Sequence, residues 1–363
     1  MKIQKPKVAM IGAGAIGTAL GNVLAGRSEG PILLHSIETR VVEDINTNHI
    51  NSKYFPTLLL HPGLKATTDD RQLEGYDILF LAIPSVILMD HLNNIRKYIH
   101  SEALLVNLAK GFGAEYKTVV QCLRENFPNP VCTLKGPGFA REIINQSPTG
   151  FTLGYENLSS GTLQGKCASD LPKYLQEKIP EHHPAAAIPD LFQGTNVYFD
   201  YSTDCQGVEI LSILKNIYAV VMGIVDAQFN SPNLRFMVLT KAFREMRRIL
   251  HYFGGKDETL FNYCGYGDFA LTALNDLSRN RTLGLLIGKG FFTEHVSHEL
   301  VLEGRTAVQV FFKEISEKMN VSEHFPILAE LYKIFNTQYD IPGFVDTILN
   351  LNEGNEEEMR DRR

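Results

Sequence analysis

Apolar positions in the first half of the chain come in short unbroken runs: "KVAMIG" at 7–12, "PILLHS" at 31–36, "DILFLAIP" at 77–84 and "ALLVNLA" at 103–109. Runs that are apolar without strict alternation are the pattern of parallel strands buried on both faces. Between them lie segments such as "SVILMDHLNNIRKYI" at 85–99, where apolar residues recur at helical spacing. Strands alternating with helices predict an α/β fold with a doubly wound parallel sheet. From about Lys166 the texture changes, and after Val208 long helix-period segments dominate: "VEILSILKNIYAVVMGIVDAQF", "LRFMVLTKAFREMRRILHYF" and "TAVQVFFKEISEKM". The expected organisation is a Rossmann-like sheet domain over 1–206, an all-helical domain over 207–350 and a charged tail over 351–363. Within the first domain, a Pro-, Gly- and His-containing region at about 155–206 reads as a lengthened linker.

The first strand runs directly into Gly12, Gly14 and Gly17, a G-x-G-x-x-G pattern followed by Ala15, Ile16, Ala19, Leu20, Val23 and Leu24 at helical spacing. Strand, glycine turn and helix in this order are the context that gives the motif meaning. Gly12 permits the sharp turn, Gly14 lets the backbone approach a pyrophosphate, and Gly17 lets helix pack on strand. The helix start at Ala15 and Ile16 then offers oriented N–H groups to the anion. After the second strand, Glu38 is the carboxylate placed to accept from the ribose hydroxyls of NAD, and Arg40 is the only cation nearby in sequence for a 2′-phosphate of NADP. NAD is slightly favoured over NADP, although Glu38 reads equally well as a solvated loop carboxylate.

Charge narrows the partners. With a net charge of −6 and a pI near 6.0 over 363 residues, the chain has no general attraction for nucleic acid or anionic lipid. An anionic ligand needs local basic groups. Five scattered cysteines, Cys122, Cys132, Cys167, Cys205 and Cys264, show no metal-ligand spacing and read as reduced thiols. The start "MKIQKPK" lacks the long apolar region of a secretory leader, and no run is expected to span a bilayer. The expected location is cytoplasmic.

Further stretches fit one family when taken together: "INTNHINSKYFP", "LAIPS", "NLAKGF", "KGPGFAREI", "SPTG", "GVEILSILKNIYAVVMGI", "GYGDFALTALNDLSRNRTLGLLIGKG" and "VLEG". In these the chain resembles the NAD(P)-dependent glycerol-3-phosphate dehydrogenases, in order from about Val8 to about Pro326 apart from the 155–206 region. The resemblance implies reversible reduction of dihydroxyacetone phosphate to sn-glycerol 3-phosphate, a small phosphorylated substrate and a homodimer. By the same resemblance Lys215 is the catalytic lysine that protonates the new alkoxide. Lys110, Gly136, Gly138, Asp268, Thr272, Ser278, Arg279 and Asn280 contact substrate, and Lys110, Ala140, Arg279, Val301 and Glu303 also lie at the cofactor. The chemistry is coherent without the name. Hydride addition to a ketone creates an alkoxide, so a cationic or protic group is needed at the oxygen and a separate anchor at the phosphate. A lysine on an apolar segment is expensive to bury unless paired, and it also fits a snorkelling position at a helix edge. Asp268 could orient Lys215 or cap the following helix, with Thr272 on the same face at i+4. Arg279 offers a planar fork for two phosphate oxygens, and Glu303 also fits a solvated helix position.

The chain departs from the family at Gly138, where a hydroxyl or amide side chain is usual, so the pocket is expected to gain space and lose a donor. Lys135 and Tyr266 are more charged or bulkier than usual. Adjacent His182 and His183 point apart on any regular element, and no metal site is expected. Two rivals remain: the same chemistry on a different phosphorylated ketone or polyol, and a dinucleotide-binding protein without catalysis.

Overall fold

A computed structural model of the chain describes residues 6–156, 179–180, 183–291, 298–337 and 339–350, with backbone alone at 298–303. His182, Cys167 and the 351–363 tail lie outside the described residues, as do the side chains of Val301 and Glu303. By internal contacts the chain divides into two units, residues 1–209 and 210–363.

The first unit is built on one sheet of eight strands: β1 (Val8–Ile11), β2 (Ile32–His35), β3 (Leu64–Thr67), β4 (Ile78–Leu81), β5 (Leu104–Asn107), β6 (Val131–Lys135), β7 (Thr149–Gly154) and β8 (Val197–Ser202). Their order is β3-β2-β1-β4-β5-β6-β7-β8. The first six pair in parallel, which is the doubly wound arrangement of dinucleotide-binding folds, as the apolar runs predicted. The sheet is not wholly parallel, however: β7 runs antiparallel to β6, and β8 pairs in parallel with β7 at the edge. The described α-helices of the unit are α1 (Ala15–Ala25), α2 (Thr39–Asn48), α3 (Ser85–Ile95), α4 (Val119–Asn126), α5 (Ala140–Ile144) and α6 (Ala187–Leu191).

Alternate residues of one strand serve two cores. Val8 and Met10 join Leu20 and Leu24 of α1 in one apolar cluster, whereas Ala9 and Ile11 join Leu88 and Leu92 of α3 in the other. Both faces of β1 are therefore dry, which is why its sequence does not alternate. Each large apolar side chain so buried contributes roughly 1.5–3 kcal/mol.

The second unit is helical throughout its described residues: α7 (Cys205–Gln228, which begins in the first unit), α8 (Pro232–Tyr252), α9 (Asp268–Leu274), α10 (Arg279–Gly288), α11 (His298–Ser316), α12 (Val321–His324), α13 (Pro326–Asn336) and α14 (Phe344–Asn350). Helix α7 corrects one expectation, because with mean hydropathy 1.8 it is long and apolar enough to cross a membrane. Its most apolar window is 94% buried inside the protein, as in a core helix.

Small residues bring α10 onto α7. A Cβ at Gly284 would lie 2.0 Å from the Val220 carbonyl oxygen, and one at Gly223 would lie 2.1 Å from the Arg281 carbonyl oxygen. Only glycines permit so close a crossing. A buried carboxylate ties further helices together: Glu245 of α8 accepts from the Tyr218 hydroxyl at 2.7 Å and from the backbone N–H groups of Ile327 at 2.9 Å and Leu328 at 2.8 Å. Those two N–H groups belong to the first turn of α13, where helical donors have no internal partner. Burial pushes the Glu245 carboxyl above its ordinary range.

Candidate active site

The turn after β1 is fixed by the protein at two of its three glycines. Gly12 has φ +115°, and a Cβ there would lie 2.6 Å from the Ala82 carbonyl oxygen. A Cβ at Gly17 would come within 2.1 Å of the Gly12 carbonyl oxygen. Gly14 is different. Its φ of −70° and ψ of −176° suit any residue, and the nearest protein atom to an added Cβ is the Ala82 oxygen at 4.0 Å. Neither backbone strain nor packing requires a glycine at that point, so the empty volume fits a cradle for a ligand. No side chain caps α1, which leaves its first-turn N–H groups, at Ala15, Ile16 and Gly17, for an anion. The loop is held from behind by Asn51, fully buried, whose Nδ2 donates to the Ala13 carbonyl and to Thr18 Oγ1, both at 2.9 Å. These features suit a dinucleotide pyrophosphate, with Gly12, Gly14, Ala15, Ile16 and Gly17 around it.

Glu38 is exposed just beyond β2, and its carboxylate accepts from Lys53 Nζ at 2.7 Å. That hydrogen bond holds the Lys53 ammonium above its ordinary range. Arg40 is therefore not the only cation near Glu38, a correction that sequence distance concealed, since Lys53 lies on the loop after α2.

Lys110 is half-buried, three residues past the end of β5. Gly136 and Gly138 follow β6, and Ala140 opens α5. The expectation that Gly138 enlarges the pocket is not met. A Cβ at Gly138 would sit 2.6 Å from Cζ of Phe151, a β7 side chain only 4% exposed. The phenyl ring already fills the space that a side chain at 138 would take. A Cβ at Gly136 would likewise meet the Gly150 carbonyl oxygen at 2.5 Å, so the 136–138 turn lies directly on β7.

In the second unit, Lys215 of α7 is 3% exposed and surrounded by apolar neighbours on its helix. Its Nζ donates to Asp268 Oδ1 at 2.5 Å and to Thr272 Oγ1 at 3.1 Å, and the Thr272 hydroxyl reaches Asp268 Oδ1 at 3.4 Å. Asp268 is the first residue of α9, with Gly267 in the capping position, so its carboxylate serves Lys215 rather than the helix start. The approach to α9 needs a glycine: a Cβ at Gly265 would lie 2.1 Å from the Leu260 carbonyl oxygen. Leaving either ion without its partner would cost roughly 3–5 kcal/mol.

The "SRNR" segment divides its labour. Ser278 caps α10 by accepting from the Arg281 N–H at 3.3 Å. Arg281 is mostly buried, bound to Asp226 at 2.7 Å and to Asp276. Arg279 is exposed and Asn280 half-buried in the first turn of α10. Val301 and Glu303 lie on α11, their side chains outside the described residues. His183 is engaged structurally: its ring bonds the Glu156 carbonyl at 2.9 Å and caps the turn at Ala185 at 3.1 Å.

Two substitutions distinguish ligand glycines from packing glycines. Gly14→Ala is expected to leave Tm within about 2 °C of wild type while weakening NADH binding about tenfold or more, ~1.4 kcal/mol. Gly17→Ala should instead lower stability by roughly 2 kcal/mol or more. Thermal unfolding and fluorescence titration with NADH read both. At the other loop, Gly138→Ser should destabilise by roughly 1–3 kcal/mol through overpacking against Phe151, and Phe151→Leu in the same chain should relieve part of that loss. Denaturant unfolding of the two single variants and the double variant checks the coupling.

Comparison with known proteins agrees with this layout. Residues 7–160 match the family described as the NAD-dependent glycerol-3-phosphate dehydrogenase N-terminus, and residues 204–346 match its C-terminus. A glycerol-3-phosphate dehydrogenase (NAD(P)+) of Clostridium botulinum is 30% identical over 338 residues, covering 92% of this chain and 94% of that protein. One from Methanothermobacter thermautotrophicus is 32% identical over 329 residues, covering 90% and 92%. Among solved structures, the glycerol-3-phosphate dehydrogenase of Coxiella burnetii superposes with a TM-score of 0.80 at 24% identity, over 95% of this chain and 99% of that one. That of Plasmodium falciparum superposes with a TM-score of 0.81 at 20% identity, over 98% of each. At such identity these two structures speak for the fold. With sequence matches spanning both units and nine-tenths of its length, this chain belongs to the NAD-dependent glycerol-3-phosphate dehydrogenase family.

Proposed function

We propose that the protein reduces dihydroxyacetone phosphate to sn-glycerol 3-phosphate, reversibly, with NADH or NADPH as the reductant. The observation that carries this reading is the buried cluster of Lys215, Asp268 and Thr272, an ammonium held by a carboxylate and a hydroxyl in a dry site. When bound, the reduced dinucleotide supplies a hydride to the carbonyl carbon. Lys215 Nζ gives its proton to the carbonyl oxygen as negative charge develops there, and it recovers a proton from water after the product leaves. Asp268 keeps the ammonium aimed, and Thr272 fixes a second direction on the nitrogen. Arg279 and Asn280, at the start of α10, take the substrate phosphate, the guanidinium through two parallel hydrogen bonds. Lys110 polarises the substrate from the end of β5. The family resemblance further points to a cytoplasmic homodimer.

A second reading, the same chemistry on another phosphorylated ketone, is favoured by Gly138, because no side-chain donor exists where the family usually carries one. Steady-state NADH oxidation over a panel of phosphorylated ketones separates the two. Dihydroxyacetone phosphate should have the highest kcat/KM, and a tenfold advantage for any other ketone would replace it. A non-catalytic binder would oxidise NADH with none of them.

Lys215→Ala should lower kcat by about a thousandfold, within the range general acid catalysis supplies, with NADH affinity changed by less than about threefold. Retention of near-wild-type turnover would remove Lys215 from the mechanism.

A further inference from the structure

Lys135, the last residue of β6, is charged where its surroundings are dry. Its side chain is 0% exposed and that of its partner Glu209 is 1% exposed, with Nζ 3.1 Å from Oε1. Glu209 also accepts from Asn107 Nδ2, at 2.9 and 3.1 Å to its two oxygens, and from the Thr133 hydroxyl. Lys135 Nζ further donates to the Asn107 carbonyl at 3.4 Å and to the Ala109 carbonyl. The Ala109 N–H in turn donates to Asn107 Oδ1 at 2.9 Å. Ala109 is thus gripped at both its N–H and its carbonyl by buried side chains, just where the ladder of β5 has ended.

We infer that Lys135 is a positioning residue for the reduction, holding the peptide that leads into Lys110 through a buried ion pair with Glu209. The inference rests on the reading of Lys110 as a substrate group. The Ala109 carbonyl and the Lys110 N–H share one planar peptide. A hydrogen bond to that carbonyl fixes the plane from which the Lys110 side chain departs. Immediately beyond, Gly111 has φ +130°, and a Cβ there would meet Ser85 Oγ at 2.5 Å, so the chain leaves Lys110 close against Ser85 in a conformation that favours glycine. Glu209 stands in the first turns of α7, six residues before Lys215 on the same helix. Replacing a buried ion pair with apolar residues of similar volume is often neutral or stabilising, so packing alone does not call for these charges. Orienting the 107–110 backbone does.

The test uses the full-length enzyme with Lys135→Met alone and combined with Glu209→Gln. Lys135→Met leaves a buried carboxylate without its cation and should unfold more easily. The double variant keeps one amide oxygen to accept from Asn107 and Thr133 without an unpaired charge, and it should recover most of the stability. Recovered stability does not restore the Lys135 hydrogen bond to the Ala109 carbonyl, which leaves only the longer Asn107 Nδ2 contact at 3.5 Å on that oxygen. In the double variant, amide hydrogen exchange over residues 108–112 should therefore stay about tenfold or more faster than wild type while core strands keep their protection. Its kcat for dihydroxyacetone phosphate should remain down by about tenfold or more, with KM for NADH within about twofold. Unchanged exchange over 108–112, or kcat returning with stability, would overturn the assignment and leave the pair as packing. A wild-type enzyme that fails to reduce dihydroxyacetone phosphate would strike the functional reading instead, and the exchange measurement would still decide whether Lys135 holds this peptide.

Discussion

An ammonium carried on an apolar helix must be met by a carboxylate, and the second unit is organised around that requirement. Lys215 lies on α7, where nearly every neighbour is apolar, and taking such a charge out of water without a partner costs several kcal/mol. Asp268 arrives from a separate helix, at the end of a turn over Tyr263–Gly267 that passes close enough to Leu260 to exclude any Cβ at Gly265. The pair therefore fixes the register of α9 against α7, and Thr272, one helical turn on, follows from the same placement. Helix α10 is seated by a different means, backbone against backbone at Gly223 and Gly284. Both devices sacrifice sequence freedom for position. A longer side chain at either glycine, or a neutral one at either ion, would move the elements that carry the polar groups.

Much of this was legible in the residues, for physical reasons that differ from place to place. The strands of the first unit announced themselves because burial on both faces removes polar residues from both parities, leaving short apolar runs. The glycine turn was legible because strand, turn and helix follow one another within a few residues. What it concealed was the division among the glycines: Gly12 and Gly17 are forced by the protein's own carbonyls, whereas Gly14 answers to nothing in the protein. Lys215, Asp268 and Thr272 stand out in the sequence by family resemblance, and the i, i+4 spacing of the last two needs only helical geometry. Antiparallel β7 and edge strand β8 were hidden because a reversal of strand direction leaves no local mark.

Contacts between distant positions were the least visible. Phe151 fills the space above Gly138 from thirteen residues away, so the absence of a side chain at 138 is compensated by a ring from the next strand. Lys53 reaches Glu38 from beyond α2, and Glu209, at the end of the first unit, meets Lys135 of β6. In each case one member reads as an anomaly, a missing hydroxyl, a lone carboxylate or an unusual lysine. Only its partner shows whether the anomaly is a loss or half of a pair. Arg281 makes the same point in reverse. It stands two residues from Arg279 and shares its chemistry, yet Asp226 and Asp276 absorb it into the scaffold.

In the proposed mechanism, the contrast between Arg279 and Lys215 follows from what each step of a ketone reduction demands of its surroundings. Recognition of a phosphate asks for a cation that a hydrated anion can find, and an exposed guanidinium suffices because two parallel hydrogen bonds supply geometry as well as charge. Proton delivery to a nascent alkoxide asks for the opposite. At about 4 Å, two unit charges interact by ~1 kcal/mol in water and ~4 kcal/mol at the effective dielectric of a protein site, so a donor acts most strongly where water is excluded. In the proposed roles, exposure of Arg279 and burial of Lys215 at 3% are what that difference calls for within one helical unit. The carboxylate of Asp268 makes the dry position tenable, since a buried ammonium left without a partner costs several kcal/mol.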